Sequence, residues 1–348
     1  MKKFFYGLII ILALLALFVY NMLSATGFFR TIENTEHYNI DHSYEIWGTE
    51  DFAISRTDSF LLISADDRAA KFSDRERKGG IWMLDLKTND AQPKLISQNF
   101  NQPLFPHGIS MIQLDSSTYK VLVINHVEGQ HSIEVFHLKG DTLNHQQTIK
   151  DELLFSPNDI VAVDEQRFYY TNDRLVSKGF GFFAANYLGK SNSNVGYYDG
   201  TDFSIVAEGL HYANGINFDT ERSLLYVASL RKFMVKVYQR QENGSLNFIE
   251  DIDCQTGVDN IELDENGDLW IGCHPSLMAA KSYLQGKADL SPSEVIHIQY
   301  KGTNDYQVES IFVDDGGRIS ACSVAIPFND KIYLGNVSDR RFIVIKKK

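Results

Sequence analysis

Asn214-Gly215-Ile216-Asn217-Phe218, followed shortly by the apolar run Leu225-Tyr226-Val227, is one copy of the pattern that decides the fold. A polar residue opens an alternating strand, turn residues intervene, and an unbroken apolar strand comes next. The other openings are Glu50-Asp51-Phe52-Ala53-Ile54, His107-Gly108-Ile109-Ser110-Met111, Asn158-Asp159-Ile160-Val161-Ala162, Asp259-Asn260-Ile261-Glu262-Leu263 and Ser323-Val324-Ala325-Ile326. Their apolar partners are Phe60–Ile63, Val121–Ile124, Phe168–Tyr170, Leu269–Ile271 and Ile332–Leu334, runs that suit strands buried on both faces. A third, alternating strand follows, as in Ile133-Glu134-Val135-Phe136, Val235-Lys236-Val237-Tyr238 and Phe342-Ile343-Val344-Ile345. The copies recur every ~55 residues, close to the ~40–50 of a four-stranded propeller blade. The reading is therefore all-β, a six-bladed β-propeller with loop-enlarged blades. An open antiparallel sandwich is the alternative, and six aligned copies argue against it.

The chain has 348 residues, of which 44% are apolar and 22% charged, so it is neither disordered nor collagenous. Its 23 Phe and 17 Tyr favour strands. A formal net charge of −12 leaves no electrostatic footprint for nucleic acid, although a hard cation would be welcome. Lys2 and Lys3 precede an apolar run from Phe4 to Tyr20. That run sits at the short end of a membrane-spanning helix, and Leu23-Ser24-Ala25 is a poor cleavage site. It reads as an uncleaved anchor, with a signal peptide as the alternative. Either way the positive-inside rule sends the remainder across the membrane, to a periplasm if the source is bacterial. Residues 1–27 are thus an anchor or signal segment and residues 28–348 the propeller. The three cysteines, Cys254, Cys273 and Cys322, contain no CxxC pair, which argues against zinc and thioredoxin-type chemistry.

In a propeller the first strand of each blade lines the central channel, so equivalent repeat positions form a ring. Glu50, Asn158, Asn214, Asp259 and Asn260 bring carboxylate and amide oxygens to that ring. Converging oxygens with negative charge make a hard-cation site, and calcium with its flexible coordination fits best. Asp51 and Asp159 lie one residue further on, on the opposite side of their strands or deeper along the channel. They either hold a second cation or cap backbone amides. His107 shares the ring, and His126 ends an inner strand of the same blade, Val121–His126. The two could form a proton-relay pair, or each could be structural. His274, in Gly272-Cys273-His274-Pro275, is a third candidate at that end. No Gly-x-Ser-x-Gly elbow and no Cys nucleophile with a paired base is present.

At these residues the sequence resembles the paraoxonase/arylesterase family. The strings that carry the resemblance are Gly48-Thr49-Glu50-Asp51, Pro106-His107-Gly108-Ile109-Ser110, Asn125-His126, Asn158-Asp159-Ile160-Val161-Ala162-Val163, Thr171-Asn172-Asp173, Ala207-Glu208-Gly209, Ala213-Asn214-Gly215-Ile216-Asn217, Val258-Asp259-Asn260-Ile261 and Gly272-Cys273-His274-Pro275. They occur in family order over nearly the whole region after the apolar run. The resemblance implies a six-bladed propeller with two axial calcium ions. It implies a catalytic ion on Glu50, Asn158, Asn214, Asp259 and Asn260, and a structural ion on Asp51, Asp159 and the backbone carbonyl of Ile109. It gives His107 the role of base and His126 that of relay partner. Asp173 and His274 match further residues of the active-site neighbourhood, and the family's uncleaved apolar N-terminus resembles Phe4–Tyr20.

The expected activity is calcium-dependent hydrolysis of lactones, with aryl esters as side substrates. A gluconolactonase-like sugar-lactone hydrolase is the enzymatic alternative, and a non-catalytic, calcium-stabilised binding propeller is the alternative of another class. There are departures from the family. Its members join the chain ends with a disulfide, but here no Cys lies before residue 254 or after 322. Closure of the last blade should then rest on strand pairing alone, with lower stability toward chelators. The connection Asp66–Gly79 is charged rather than an apolar flap, and Asn186–Val195 is more polar than its family counterpart.

Overall fold

Each sequence repeat folds into a four-stranded antiparallel sheet in a computed structural model that describes residues 2–127, 130–187 and 189–348. Helix α1 (Lys2–Ser24) comes first, then strand β1 (Tyr38–Tyr44). The first blade is β2 (Thr49–Ser55), β3 (Phe60–Asp66), β4 (Gly79–Asp85) and β5 (Lys94–Leu95). The second is β6 (Pro106–Asp115), β7 (Thr118–Val127), β8 (Gln130–Lys139) and β9 (Thr142–Ile149). The third is β10 (Pro157–Ala162), β11 (Phe168–Asn172), β12 (Ser193–Tyr198) and β13 (Phe203–Leu210), with α2 (Gly179–Tyr187) between β11 and β12. The fourth is β14 (Ala213–Asp219), β15 (Leu224–Ser229), β16 (Met234–Arg240) and β17 (Leu246–Asp253). The fifth is β18 (Gly257–Leu263), β19 (Leu269–His274), β20 (Ser293–Gly302) and β21 (Asp305–Asp314), with α3 (Leu277–Leu284) between β19 and β20. The sixth contains β22 (Cys322–Phe328), β23 (Lys331–Asn336) and β24 (Phe342–Lys347), and β1 returns as its outer strand.

The strands β2, β6, β10, β14, β18 and β22 pack side by side in a closed ring about the axis. Each seam between neighbouring blades is filled by its own apolar cluster. Leu122 and Ile124 of β7 face Ile160 and Phe168 of the third blade, while Val121 and Val123 face Phe60 and Leu62 of the first. This two-sided burial explains the unbroken apolar runs of the second strands. Closure joins β1 to β24 from Tyr38↔Lys347 to Tyr44↔Phe342, and Lys331 adds an ion pair to Asp41 at 2.6 Å. Strand pairing thus closes the ring as expected, and the three cysteines are free and buried.

The repeat-opening residues occupy a register irregularity in every blade. The ladder between first and second strand skips Glu50, His107-Gly108, Asn158-Asp159, Asn214-Gly215, Asp259-Asn260 and Ser323. A β-bulge breaks strict alternation and re-aims side chains. It lets consecutive residues such as Asp259 and Asn260 both serve the axis. Two glycines make the bulges fit. A Cβ on Gly108 would meet the Asp159 Cα at 2.6 Å, and one on Gly215 would meet the Asp259 carbonyl oxygen at 2.4 Å. Side chains also latch neighbouring inner strands. Asp51 accepts from the Ile109 amide at 2.8 Å, Asp159 from Ile216 at 2.7 Å, and Asn217 donates to the Ile261 carbonyl at 2.7 Å. Ser323 and Asn260 both donate to the Glu50 carbonyl, at 2.6 and 2.9 Å.

Helix α1 is 0% buried over its apolar window, with mean hydropathy 2.4, and is long enough by composition to cross a membrane. Its C-terminal stem is tied to the propeller. The Leu277 amide donates to the Thr26 carbonyl at 2.9 Å, and Arg30 grips Glu294 with two bonds of 2.7 Å. The polar segment Asn186–Val195 runs from the end of α2 to the start of β12; Leu188 lies outside the described residues.

The glycine contacts generate a stability prediction. Gly215→Ala must push β14 away from Asp259 and Asn260. It should lower the melting temperature measured by circular dichroism, by about 1–3 kcal/mol in stability, the usual cost of overpacking. An unchanged melt would show that the seam has room.

Candidate active site

At one end of the channel the bulges deliver Glu50, Asn158, Asn214, Asp259 and Asn260 to a common place, all buried. All but Asn260 line a cavity of about 320 Å³ whose walls include His107, Tyr212, Leu230, Arg231, His274, Leu277, Lys281, Leu284 and Val337. Glu50 Oε2, Asn158 Oδ1, Asn214 Oδ1 and Asn260 Oδ1 are buried and accept no hydrogen bond. The orientation of Asn260 is fixed, because its amide nitrogen donates to the Glu50 carbonyl and to Glu50 Oε1 at 3.1 Å. A buried acceptor without a partner costs about 1–3 kcal/mol. Clustering several of them, all oxygens and one of them a carboxylate, with the Asp259 carboxylate alongside, fits a hard divalent cation and little else.

The electrostatics agree. Burial pushes the Asp259 carboxyl upward, against the opposing pull of His274, whose Nε2 lies 2.7 Å from Asp259 Oδ2. For Glu50 burial again opposes ionisation, but His107, Arg68 and Asn260 outweigh it and hold the carboxyl below its usual range. Deeper in the channel, Asp51 and Asp159 are pushed well up, chiefly by burial. Buried carboxylates in mutual range are what a bound cation stabilises. Asp51 and Asp159 line a second cavity of about 430 Å³ at the far end, so they lie deeper along the axis rather than across the strand. Asp51 accepts from the amides of Phe52 and Ile109, both at 2.8 Å, and Asp159 from those of Ile160 and Ile216, both at 2.7 Å. Of the two readings open for them in sequence, amide capping is visible.

His107 Nε2 lies 3.4 Å from Glu50 Oε1, and His107 Nδ1 lies 2.9 Å from His126 Nε2. His126 is on β7, the second strand of its blade, at the end of the apolar run Val121–Ile124. It reaches His107 because Pro106 pairs with Asn125 and the bulge turns His107 outward to meet it. Burial, with His107, His131, Arg68 and Arg77 nearby, pushes His126 well below its usual value. Behind it stands His131, with Nδ1 2.7 Å from His126 Nδ1. The sequence reading missed His131. A spacing of five becomes meaningful only when the β7–β8 register sets His126 opposite His131. Tyr212 was also missed. Its backbone is left-handed, φ 63°, a strained state for a bulky residue, and the Asp173 carboxylate with burial pushes its hydroxyl well up. Asp173 itself pairs with Arg174 at 3.4 Å.

The charged Asp66–Gly79 connection is pinned rather than loose. Arg75 bonds Asp67 at 3.0 and 3.2 Å and stacks on Trp47, and Arg77 bonds Asp66 at 2.8 Å and stacks on Phe105. Arg68 donates to the carbonyls of Val337 and Pro106 at 3.2 and 3.3 Å, which brings a fixed positive charge to the mouth.

Fold and site together define a six-bladed propeller with an axial cluster of buried oxygen atoms and a histidine chain at its edge. A family model described as Arylesterase matches residues 71–344. Serum paraoxonase/arylesterase 2 of Rattus norvegicus is 34% identical over 273 residues, covering 76% of each chain. Serum paraoxonase/arylesterase 1 of Homo sapiens is 33% identical over 268 residues, covering 74% of each. Among solved structures, a luciferin-regenerating enzyme superposes with a TM-score of 0.56 at 11% identity, covering 87% of this chain and 91% of that one. A gluconolactonase from Xanthomonas campestris gives 0.53 at 12% identity, covering 89% of each chain; both show the fold alone. This chain belongs to the arylesterase family.

The depressed His126 gives a sign-definite pH effect. The unfolded chain binds a proton near pH ~6.5 that the folded chain resists, so stability is lost as pH falls below that value. His126→Asn should flatten the decline in melting temperature between about pH 7 and about pH 5 relative to the parent. A parallel decline in both proteins would remove His126 as a cause.

Proposed function

We propose that this protein is a calcium-dependent carboxylic ester hydrolase acting on lactones, with aryl esters as side substrates. The observation that carries the reading is the set of partnerless buried oxygens on Glu50, Asn158, Asn214 and Asn260, placed beside His107. Those residues with Asp259 would hold the catalytic ion. The chemistry that calcium supplies there is polarisation of the substrate carbonyl and stabilisation of the negative charge that develops on its oxygen. Asp51, Asp159 and the Ile109 carbonyl would hold a second, structural ion, since each carboxylate oxygen keeps a lone pair beyond the amide it accepts. His107 removes a proton from water at Nε2, and His126 fixes its ring through Nδ1. Asp259 holds His274 at the wall, and Tyr212 lines the same cavity.

Leu230, Leu277, Leu284 and Val337 give the acyl chain an apolar wall. Arg231, Lys281 and Gln285 on the same cavity give a polar one, which favours sugar lactones as a second reading. The family of serum paraoxonase/arylesterases supports the ester-hydrolase reading over a binding propeller. We further propose that α1 is a retained anchor holding the propeller outside the cytoplasm, because its stem is latched to the rim through Thr26 and Arg30.

The full chain in detergent should hydrolyse members of a lactone panel and phenyl acetate with calcium, and lose that activity after chelation. Asp259→Ala should abolish turnover and weaken calcium binding by titration calorimetry, and a fully active variant would overturn the scheme. Folded, calcium-loaded protein inert on the whole panel would favour the binding propeller. For the anchor, alkaline carbonate washing should leave the chain in the membrane pellet; release into the supernatant would contradict a spanning helix.

A further inference from the structure

We infer that His131 is the outer terminus of a three-histidine proton relay, a positioning residue that receives through His126 the proton His107 takes from water. The inference rests on His107 acting as the base. His107 Nδ1 and His126 Nε2 are 2.9 Å apart, and His126 Nδ1 and His131 Nδ1 are 2.7 Å apart. Two nitrogens at such distances need one proton between them, because two lone pairs or two N–H groups would repel. If the His107 Nε2 lone pair is to be free for water, the tautomers of the chain follow. His107 Nδ1–H donates to His126 Nε2, and His126 Nδ1–H donates to His131 Nδ1. His131 Nε2 then carries its own proton.

The proton count balances. Water loses a proton to His107 Nε2 and its oxygen bonds to the acyl carbon. The Nδ1 proton of His107 passes to His126 Nε2, and the Nδ1 proton of His126 passes to His131 Nδ1. His107 and His126 end neutral with their tautomers exchanged, and the positive charge rests on His131. When the ester C–O bond breaks, the reverse shift delivers a proton from His107 Nε2 to the leaving alkoxide. The carboxylic acid product then ionises near neutral pH, so one proton per turnover must leave the site. The partly exposed His131 is the exit.

The surroundings favour charge at the outer end. His126 is faced by His107, His131, Arg68 and Arg77, all cationic or able to become so. His131 is faced by Asp173, with Arg174 and His107 opposing, and burial holds it somewhat below its usual value. Asp173 is buried, and its Oδ1, 3.4 Å from Arg174 Nε, accepts no hydrogen bond.

The test compares the full-chain parent with His131→Ala and His131→Asn on one lactone, in dilute non-imidazole buffer with calcium present. Loss of a supporting partner should lower kcat between about tenfold and a hundredfold, with KM unchanged. Added imidazole, a free proton acceptor, should restore the Ala variant. Calcium titration and thermal melts should match the parent. An unchanged kcat, or a loss that imidazole does not relieve in either folded variant, would overturn the relay. His107→Ala separates the two readings. If it is inactive while the His131 variants behave as parent, only the outer relay falls; if it is fully active, the base assignment itself falls.

Discussion

Oxygen atoms taken out of water around the propeller axis are the constraint on which the rest of this structure depends. Glu50, Asn158, Asn214, Asp259 and Asn260 surrender hydration on folding, and most of their inward oxygens find no donor in the chain. Such a group is tolerable only if positive charge replaces the water. The local structure is organised to deliver it. Bulges break the alternation of each first strand at the ring, Gly108 and Gly215 let neighbouring bulges nest, and Asp51, Asp159, Asn217 and Ser323 tie each inner strand to the next. The same contacts that build the site therefore close the ring, and stability and metal affinity should be hard to separate by mutation at the axis.

The architecture was legible because its signal is repeated and local. Runs such as Val121–Ile124 must face apolar clusters on both sides, so their lack of alternation is itself a mark of a blade's second strand. The ring was legible for the same reason, with carboxylates and amides recurring at one repeat position. What the sequence hid depends on long-range register. β1 completes the sixth blade with a partner from the far end of the chain, and nothing near Tyr38 announces it. The bulges are equally hidden, and without them strict alternation leaves Asp259 and Asn260 on opposite faces. His131 becomes visible only through the β7–β8 pairing. Helix α2 carries Phe180 and Phe183 exposed on its surface and buries the small Ala184 and Ala185, so its large apolar residues did not mark a buried helical face.

Electrostatic order across the mouth gives the chemistry its direction. Glu50 and Asp259 concentrate negative charge on the axis, and Arg68 and Arg77 sit outside it, held by Asp66 and backbone carbonyls. The His107–His126 pair lies between these zones, with His107 Nδ1 2.9 Å from His126 Nε2. Asp173 sets a carboxylate at the outer end of that path. The charged Asp66–Gly79 connection, where the family resemblance implies an apolar flap, thus contributes fixed charge to the site rather than a movable cover.

The central claim is that the axial oxygens are a calcium site at the heart of catalysis. The most direct measurement is a crystal structure of the calcium-loaded protein with anomalous scattering used to locate the ion. A peak about 2.3–2.6 Å from the oxygens of Glu50, Asn158, Asn214, Asp259 and Asn260 is the result expected. Water alone among those side chains, with calcium bound elsewhere, would contradict it.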